Sequence, residues 1–423
     1  AGYGLGKFGD GTLILSNYNG FSGGLTLSAG KLDLNSSGAD GSGLFVLNGG
    51  TLDNTSGQLV TLSSANINFA GNFRFAGTTD LNLGAGTVNV LNSTLTVQSN
   101  TLYMEGRLTG ANTPLIYNGP GTWTIAGGSG TSSGVQLTIN SGVVNCARNS
   151  PFTALGATTT LKTGGSLVML NPTGSQLGTT TTLLLQGGLL EMLGDSETVQ
   201  LVAFNASGGT IRNSAGSTTS TLRAVGGIAL IGTNCVFDVT NSATLAVAGV
   251  VSNTGSLLKT GGGLLNLYSN NTYTGDTTIS GGTLLLNYPG LTNTSTVTVA
   301  ANAKLELNFT ETNTVAALVL NGVSKPAGLY NATSDPVYLA GTGSLLVQPL
   351  VATTPTNITF SVSGGTLSLS WPAAYLGWTL QTNAVGVAST ASWFPYPGSA
   401  GVTNVAITLD PAATNVFFRL VYP

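Results

Sequence analysis

The acidic side chains are the residues of this chain whose types and spacing could support catalysis. Glu191, Asp195 and Glu197 form the densest acidic group, and Arg212 follows in the same region. Clustered carboxylates beside an arginine can supply the acid and the base of a polysaccharide lyase or hydrolase. The simpler interpretation is a solvated loop, and we favour it. We therefore expect no enzyme and no catalytic residue, with polysaccharide cleavage as the less favoured alternative.

The absence of histidine narrows the possible chemistry further. It removes Ser-His-Asp and Cys-His catalysis and most zinc sites. Residues 130–134 match G-x-S-x-G and residues 4–9 match G-x-G-x-x-G, but 61 glycines make such matches expected by chance. The calcium-binding G-G-x-G-x-D repeat is absent. We predict neither a cofactor nor a metal site.

A long internal repeat organises the sequence. Residues 257–287 align without a gap to residues 5–35 at a constant offset of 252, with 14 identities in 31 positions. A third, weaker copy begins near residue 121. Each copy alternates short apolar runs with small-residue turns, and a repeated unit of this kind is typical of a stacked architecture.

These residues resemble the bacterial autotransporter-associated β-strand repeat, whose units read roughly G-T-L-T-L-x-x-x-N-T-Y-T-G-x-T-x-I-x-x-G-x-L-x-L. Residues 263–286 fit nearly every position, and residues 11–34 fit with Phe21 in place of the tyrosine. The resemblance implies a right-handed parallel β-solenoid in a large secreted or surface-displayed protein. It supplies no catalytic residues.

Shorter segments with the same pattern continue to about residue 350. Apolar markers that follow small-residue corners are separated by 20 to 23 residues, for example from Leu32 to Leu52 and from Val144 to Leu167 and Leu190. Coils of this length predict inward leucines that stack ~4.8 Å apart. Cys146 and Cys235 would then lie about four coils, or ~19 Å, apart, too far for a disulfide. We expect buried thiols, with an interchain bridge as the alternative.

The composition changes after Pro349. Residues 352–423 contain 6 of the 14 prolines and three of the four tryptophans. Six short apolar runs separated by turn residues predict the strands of a β-sandwich, at residues 358–362, 367–371, 378–381, 393–394, 405–409 and 416–422. We therefore predict an all-β chain: a parallel β-helix (solenoid) over 1–348, a linker over 349–356, and an Ig-like or fibronectin-like β-sandwich over 357–423.

Charge and hydropathy limit the partners and the location. Charged residues make up 6% of the chain and the net charge is −3, so a nucleic-acid partner is not expected. No apolar run approaches the ~18 residues of a membrane-spanning helix. The sequence Ala1-Gly2-Tyr3 resembles a mature terminus after signal-peptide removal. We expect an extracellular or cell-surface location.

An open solenoid end and a terminal apolar strand predict self-assembly. Unpaired strands at both ends of a solenoid can accept a strand from another copy, and such a head-to-tail contact propagates into a filament. The expected partners are therefore other copies of this chain, in a fibre or surface layer. The residues expected to form the contact are Leu5, Phe8, Leu13, Leu15, Val416, Phe417, Phe418, Leu420 and Tyr422.

A second hypothesis keeps the chain monomeric. It would be a surface adhesin or glycan-binding stalk, in contact with glycans or the cell envelope, with the sandwich at its tip. Trp378 and Trp393 would then form a sugar-stacking platform, although tryptophans of a small sandwich more often build its core.

Overall fold

The computed structural model describes residues 2–63, 66–172, 174–348, 354–388, 390–412 and 415–422. Strands make up 50% of the chain and helices 2%, so the predicted all-β class is confirmed. The chain divides into two compact units. The first comprises residues up to Lys325 together with Tyr330–Leu346, and the second comprises Pro326–Leu329 and the chain from Val347 onward.

The first unit is a parallel β-solenoid of about 15 turns, as predicted. Its strands are short because a glycine or another turn-forming residue bends the chain after a few alternating positions. They are β1 (Leu5–Lys7), β2 (Thr12–Leu15), β3 (Leu25–Leu27), β4 (Lys31–Leu34), β5 (Phe45–Leu47), β6 (Thr51–Asp53), β7 (Val60–Thr61), β8 (Ile67–Phe69), β9 (Phe73–Phe75), β10 (Leu81–Asn82), β11 (Val88–Val90), β12 (Ser93–Val97), β13 (Thr101–Gly106), β14 (Leu108–Asn118), β15 (Thr122–Ser129), β16 (Ser133–Ile139), β17 (Gly142–Arg148), β18 (Thr159–Lys162), β19 (Gly165–Met169), β20 (Thr182–Gln186), β21 (Leu189–Glu191), β22 (Ser196–Val199), β23 (Leu201–Phe204), β24 (Gly209–Asn213), β25 (Thr219–Ala224), β26 (Ile228–Ala229), β27 (Cys235–Val239), β28 (Thr244–Val247), β29 (Val251–Ser252), β30 (Leu257–Thr260), β31 (Leu264–Leu267), β32 (Thr277–Ile279), β33 (Gly282–Leu286), β34 (Thr296–Val299), β35 (Ala303–Leu307), β36 (Thr312–Val315), β37 (Ala317–Leu320), β38 (Val323–Ser324), β39 (Gly328–Asn331), β40 (Leu339–Gly341) and β41 (Ser344–Val347).

Three large parallel sheets run along the solenoid. They contain 17, 14 and 7 strands. The 17-stranded sheet starts as two ladders, one from β1 and one from β2, and these ladders join at the long strand β14. The 7-stranded sheet starts later, at β22. The 7-stranded sheet begins after the two ladders have merged. The solenoid therefore keeps a nearly constant number of faces along its axis.

Stacked aliphatic side chains form the core. Leu265 pairs in register with Leu284, and Leu284 pairs with Leu305 in the next coil. All three side chains are fully buried. Since burial of one leucine contributes ~1.5–3 kcal/mol, these rows are the main source of stability in each coil. The predicted inward stacking is confirmed.

The sequence markers lie on different faces. Leu32 and Leu52 belong to the 17-stranded sheet, Val144 and Leu167 to the 14-stranded sheet, and Leu284 to the 7-stranded sheet. Steps of 20 to 23 residues within each group correspond to single coils. The longer steps between groups also include a change of face, which an apolar pattern does not reveal.

The two repeat copies also lie on different faces. The ladder that begins at β1 reaches β29 after eleven pairings, and β30, the first strand of the second copy, lies on another sheet. Both copies nevertheless form the same four strands, because Leu5 pairs with Leu25 as Leu257 pairs with Thr277. The repeat thus encodes a corner and its flanking strands independently of the face on which it lies.

The two cysteines agree with the prediction. Cys146 on β17 and Cys235 on β27 are free and buried. The strands β19, β21 and β24 lie between them, so the cysteines are four coils apart. Burial raises the pKa of the Cys146 thiol well above its ordinary value, and nearby Glu197 contributes to the shift.

The second unit contains two three-stranded antiparallel sheets, of order β42-β43-β46 and β45-β44-β47. Leu369, Trp371, Trp378 and Leu380 form a shared buried core. The strands are β42 (Thr359–Ser363), β43 (Thr366–Ser370), β44 (Thr379–Asn383), β45 (Phe394–Pro395), β46 (Asn404–Thr408) and β47 (Phe417–Val421), with short 3-10 helices at Ala373–Tyr375, Thr390–Ser392 and Ser399–Gly401.

The exact domain limits stay a prediction. Residues 349–353, which are most of the predicted linker 349–356, lie outside the described residues. Assignment of the second unit to the Ig-like or fibronectin-like sandwiches also stays a prediction.

Candidate functional site

The first coil presents an unpaired backbone edge. Among the described residues, β1 pairs only with β3 and β2 pairs only with β4. The Leu5 amide donates to Gly24 O at 2.9 Å, and Lys7 O accepts from the Ser28 amide at 3.0 Å. Since alternate residues direct their backbone groups to opposite sides of a strand, Gly6 directs its N–H and C=O away from β3.

The same arrangement holds for the second strand of this coil. Gly11 O and Leu15 O accept hydrogen bonds from β4 and the residue that follows it, at 3.1 and 2.9 Å. Thr12 and Ile14 therefore direct their backbone groups toward the free edge. We call the outward backbone groups of Gly6, Thr12 and Ile14 the first-coil edge.

Apolar side chains surround the first-coil edge. Leu5, Leu13 and Leu15 are partly exposed, whereas Leu25 and Leu32 in the next coil are fully buried. The Phe8 side chain is 70% exposed and its ring covers Gly6. The four predicted N-terminal contact residues thus lie together on the first described coil of the solenoid.

The predicted C-terminal contact residues lie on and beside β47. This strand pairs only with β44 among the described residues, so its other side is also unpaired. Val416 and Tyr422 are exposed, whereas Phe417, Phe418 and Leu420 are partly buried. Phe418 and Leu420 pack against the core of the second unit.

The inner face of β42 is uncovered. Phe360 pairs with Leu369 and Val362 pairs with Leu367, so the four side chains share the core-facing side of the sheet. Phe360 is nevertheless 74% exposed and Val362 57% exposed. The sequence predicted this strand over residues 358–362, but its alternation could not show that the strand is left uncovered on its inner face.

Trp378 is a buried side chain of the second unit. It is 5% exposed, and its ring packs edge-on against Tyr375 and Tyr422 at centroid distances of 5.3 and 5.6 Å. The ring of Trp393 lies 4.3 Å from the guanidinium of Arg419. Trp378 therefore lies in the core of the second unit, and the alternative glycan role of the two tryptophans stays a prediction.

The acidic group at 191–197 is buried. We expected a solvated loop, but Glu191 is 7% exposed and both Asp195 and Glu197 are 1% exposed. The expectation was wrong because Ser196–Val199 is a strand that starts the 7-stranded sheet. Because Ser196, Glu197 and Thr198 are all polar, the sequence contains no apolar alternation that would predict this strand.

Glu197 is held by hydrogen bonds from the preceding coil. Its carboxylate accepts from the amides of Gln176 at 2.6 Å and Leu177 at 2.9 Å, and from Ser175 Oγ at 2.9 Å. Burial nevertheless raises the pKa of Glu197 to about 8 and that of neighbouring Asp195 to about 6. Burial therefore keeps protons on this carboxyl pair to a higher pH than on exposed carboxyls, and both groups lie too deep to reach a polymeric substrate.

Arg212 takes part in a separate ionic row. It lies between Glu191 and Asp238 in successive coils, with its guanidinium 3.8 Å from the first carboxylate and 2.8 Å from the second. Arg212 pairs with Glu191, and within the described residues neither Asp195 nor Glu197 forms an ion pair with an arginine. This ladder is a structural contact between coils.

A known family model matches the chain twice. It describes the passenger-associated transport repeat. The matched residues, 5–34 and 257–286, coincide with the two strong copies found in the sequence, so the predicted resemblance is confirmed for these segments. No curated protein and no solved structure matches the chain.

The transport repeats and the solenoid together indicate an extracellular surface or passenger protein. Within the described residues, no helix is long and apolar enough to cross a membrane. The same residues contain no group of three or more His, Cys, Asp or Glu side chains arranged to hold a metal ion.

The two transport repeats share a buried lysine. Lys259 Nζ donates to the carbonyl oxygens of Thr260, Gly261 and Gly281 at 2.6, 2.8 and 3.1 Å. Lys7, its counterpart in the first repeat, binds the equivalent carbonyls one, two and 22 residues ahead. Burial lowers the pKa of Lys259 to about 8, and Asp238 opposes the shift. The sequence signal for this corner was a lysine that is identical in the two repeat copies, Lys7 and Lys259.

Proposed function

We propose that this chain is an extracellular structural protein whose copies join end to end by strand addition, as a fibre or surface layer. The observation that carries the proposal is the first-coil edge. It combines unpaired backbone groups with the half-exposed leucines Leu5, Leu13 and Leu15. Such an edge pairs readily with a strand from another chain.

The second unit offers the complementary strand. Among the described residues one side of β47 has no paired strand, and beside it a cleft of about 370 Å³ is lined by Phe360, Leu367, Val416 and Phe418. A strand added next to β47 would extend its sheet over the uncovered inner face of β42. Each copy therefore carries two edges that a neighbouring copy could satisfy, and a contact between unlike ends does not close on itself.

The low charge of the chain supports the same function. With 12 basic and 15 acidic residues in 423 positions, copies repel each other little. The contact residues are apolar or backbone groups, so we expect the assembly to depend weakly on salt.

Proline substitution at the first-coil edge tests the proposal. Ile14→Pro removes an outward amide donor while the bonds of Gly11 and Leu15 to β4 remain, so we expect fewer or shorter assemblies. Ile14→Thr is the matched control, because it removes the same apolar side chain and keeps the amide. Sedimentation velocity over a wide range of concentrations measures the difference. A wild-type chain that stays monomeric throughout, or a proline variant that assembles as well as the threonine variant, would contradict strand addition.

A further inference from the structure

We propose that a polar cleft on the first coils of the solenoid binds an uncharged, extended polysaccharide. The cleft has a volume of about 580 Å³ and extends from Asp10 in the first coil to Thr94 and Thr96 in the fifth. This site is independent of the first-coil edge, and it does not involve the tryptophans of the second unit.

An outward row of polar side chains forms one wall of the cleft. Lys31, Thr51, Arg74 and Thr96 follow each other in register on β4, β6, β9 and β12. Neighbouring strands lie ~4.8 Å apart, which is close to the length of one sugar residue in an extended glycan. Each coil can therefore present a hydrogen-bonding group to one successive sugar.

Glycines keep the floor of the cleft free of side chains. Gly30 and Gly50 have φ angles of +69° and +70°, and a Cβ atom at Gly30 would collide with the carbonyl oxygens of Gly9 and Gly11. Any other residue would be strained at both positions. The contact between coils therefore requires glycine at these positions, and the cleft is lined there by backbone.

The Arg74 guanidinium is the group of this site that is available to donate hydrogen bonds to a ligand. It is exposed on β9, and its guanidinium forms no ion pair with the described part of the chain. The five N–H donors of a guanidinium form a planar fork that can bind two neighbouring hydroxyl groups at once.

The charges around the cleft favour a neutral ligand. Lys31 is bound by Asp33 at 3.1 Å and by Asp53 at 2.8 Å, so it offers no free positive charge. With Asp10 at the rim and Lys7 Nζ against Gly9 and Gly30, three carboxylates are balanced by three cations. An acidic polysaccharide would therefore gain only the contact with Arg74 and would meet no net positive charge.

A polysaccharide microarray tests the proposal. The labelled full chain is applied to immobilised β-glucan, glucomannan and galactomannan, with polygalacturonate as the acidic probe. We expect binding to at least one neutral polymer and a loss of about tenfold in Arg74→Ala, which removes charge-assisted hydrogen bonds. Thr51→Tyr, which fills the cleft, should weaken binding as well. Arg223→Ala is the matched control, because Arg223 is also an exposed strand arginine of the solenoid but lies far from these coils in the sequence.

Thermal melting of each variant checks that the fold is retained. Three results would overturn the proposal: no binding to any neutral polymer, equal binding by Arg74→Ala and Arg223→Ala, or binding to polygalacturonate alone.

Discussion

Buried ionisable side chains at a few positions distinguish this solenoid from a simple stack of leucines. Arg148, Glu197 and Lys259 are among its least exposed side chains, and each is bound to backbone groups of a neighbouring coil. A buried charge is tolerated only where such bonds replace water. These residues therefore fix the register between coils, and the sequence offered no apolar pattern to reveal them.

The pair Asp195 and Glu197 should make the stability depend on pH. Because the pKa of each carboxyl is raised on folding, the folded chain binds more protons than the unfolded chain between about pH 4 and about pH 8. The free energy of unfolding should therefore fall as the pH rises through this range. Asp195→Asn should flatten the dependence and exceed the wild type by about 1 kcal/mol or more at pH 9.

Urea unfolding at several pH values measures this effect. Glu306→Gln, on a half-exposed carboxyl of β35, is the control and should keep the wild-type profile. An Asp195→Asn variant whose profile also follows the wild type would show that folding does not raise the pKa of this carboxyl.

Lys259 should be more important for stability than an ordinary lysine. Lys259→Met keeps most of the apolar stem but leaves three partly buried carbonyl oxygens without their donor, so we expect a loss of about 1–3 kcal/mol. The same substitution at Lys304, whose single contact is exposed at 3.5 Å, should cost little. Equal unfolding free energies for both variants, measured in urea, would argue against the corner role of Lys259.

At the level of the strands, most of the architecture followed from the sequence. Leu13, Leu265 and Leu284 alternate with outward residues, and glycine corners separate the runs, so a parallel solenoid was predictable. All six strands of the second unit were placed within two residues of their observed ends, because prolines and glycines limit them. The face to which each strand belongs was not predictable, because apolar alternation is the same on every face.

The candidate contact sites were predictable only in part. The apolar residues Leu5, Leu13 and Leu15 could be found because they begin the first repeat. The exposure of Phe360 and Val362 depends on how much of β42 the opposite sheet covers. The availability of the Arg74 guanidinium depends on which residues meet across neighbouring coils. Both are relations between distant segments, which one sequence does not display.

A single core leucine tests the energetics of the stack. Leu284 lies between Leu265 and Leu305 and is fully buried, so Leu284→Ala should lower the unfolding free energy of the solenoid by ~2–5 kcal/mol. Tyr288→Ala is the control, since Tyr288 follows the same strand and is 50% exposed. A loss no greater than that of the control, in urea unfolding followed by circular dichroism, would contradict the stacked core.

For the whole molecule, the main question is how the two unsatisfied edges are used. The solenoid interior pairs every coil with the next, but the first coil and β47 each keep one unpaired side within the described residues. Low net charge removes the repulsion that would otherwise keep copies apart. Strand addition would satisfy both edges in one contact, and the cleft beside Arg74 would remain open along the resulting surface.

Cryo-electron microscopy of the native assembled material tests this account most directly. Strand addition predicts filaments or sheets in which density for a strand of one copy lies beside β1 or β2 of the next copy. The ~4.8 Å spacing between strands should continue across the junction. Particles that contain one copy each, with β1 and β2 bordered by solvent at every concentration, would contradict it.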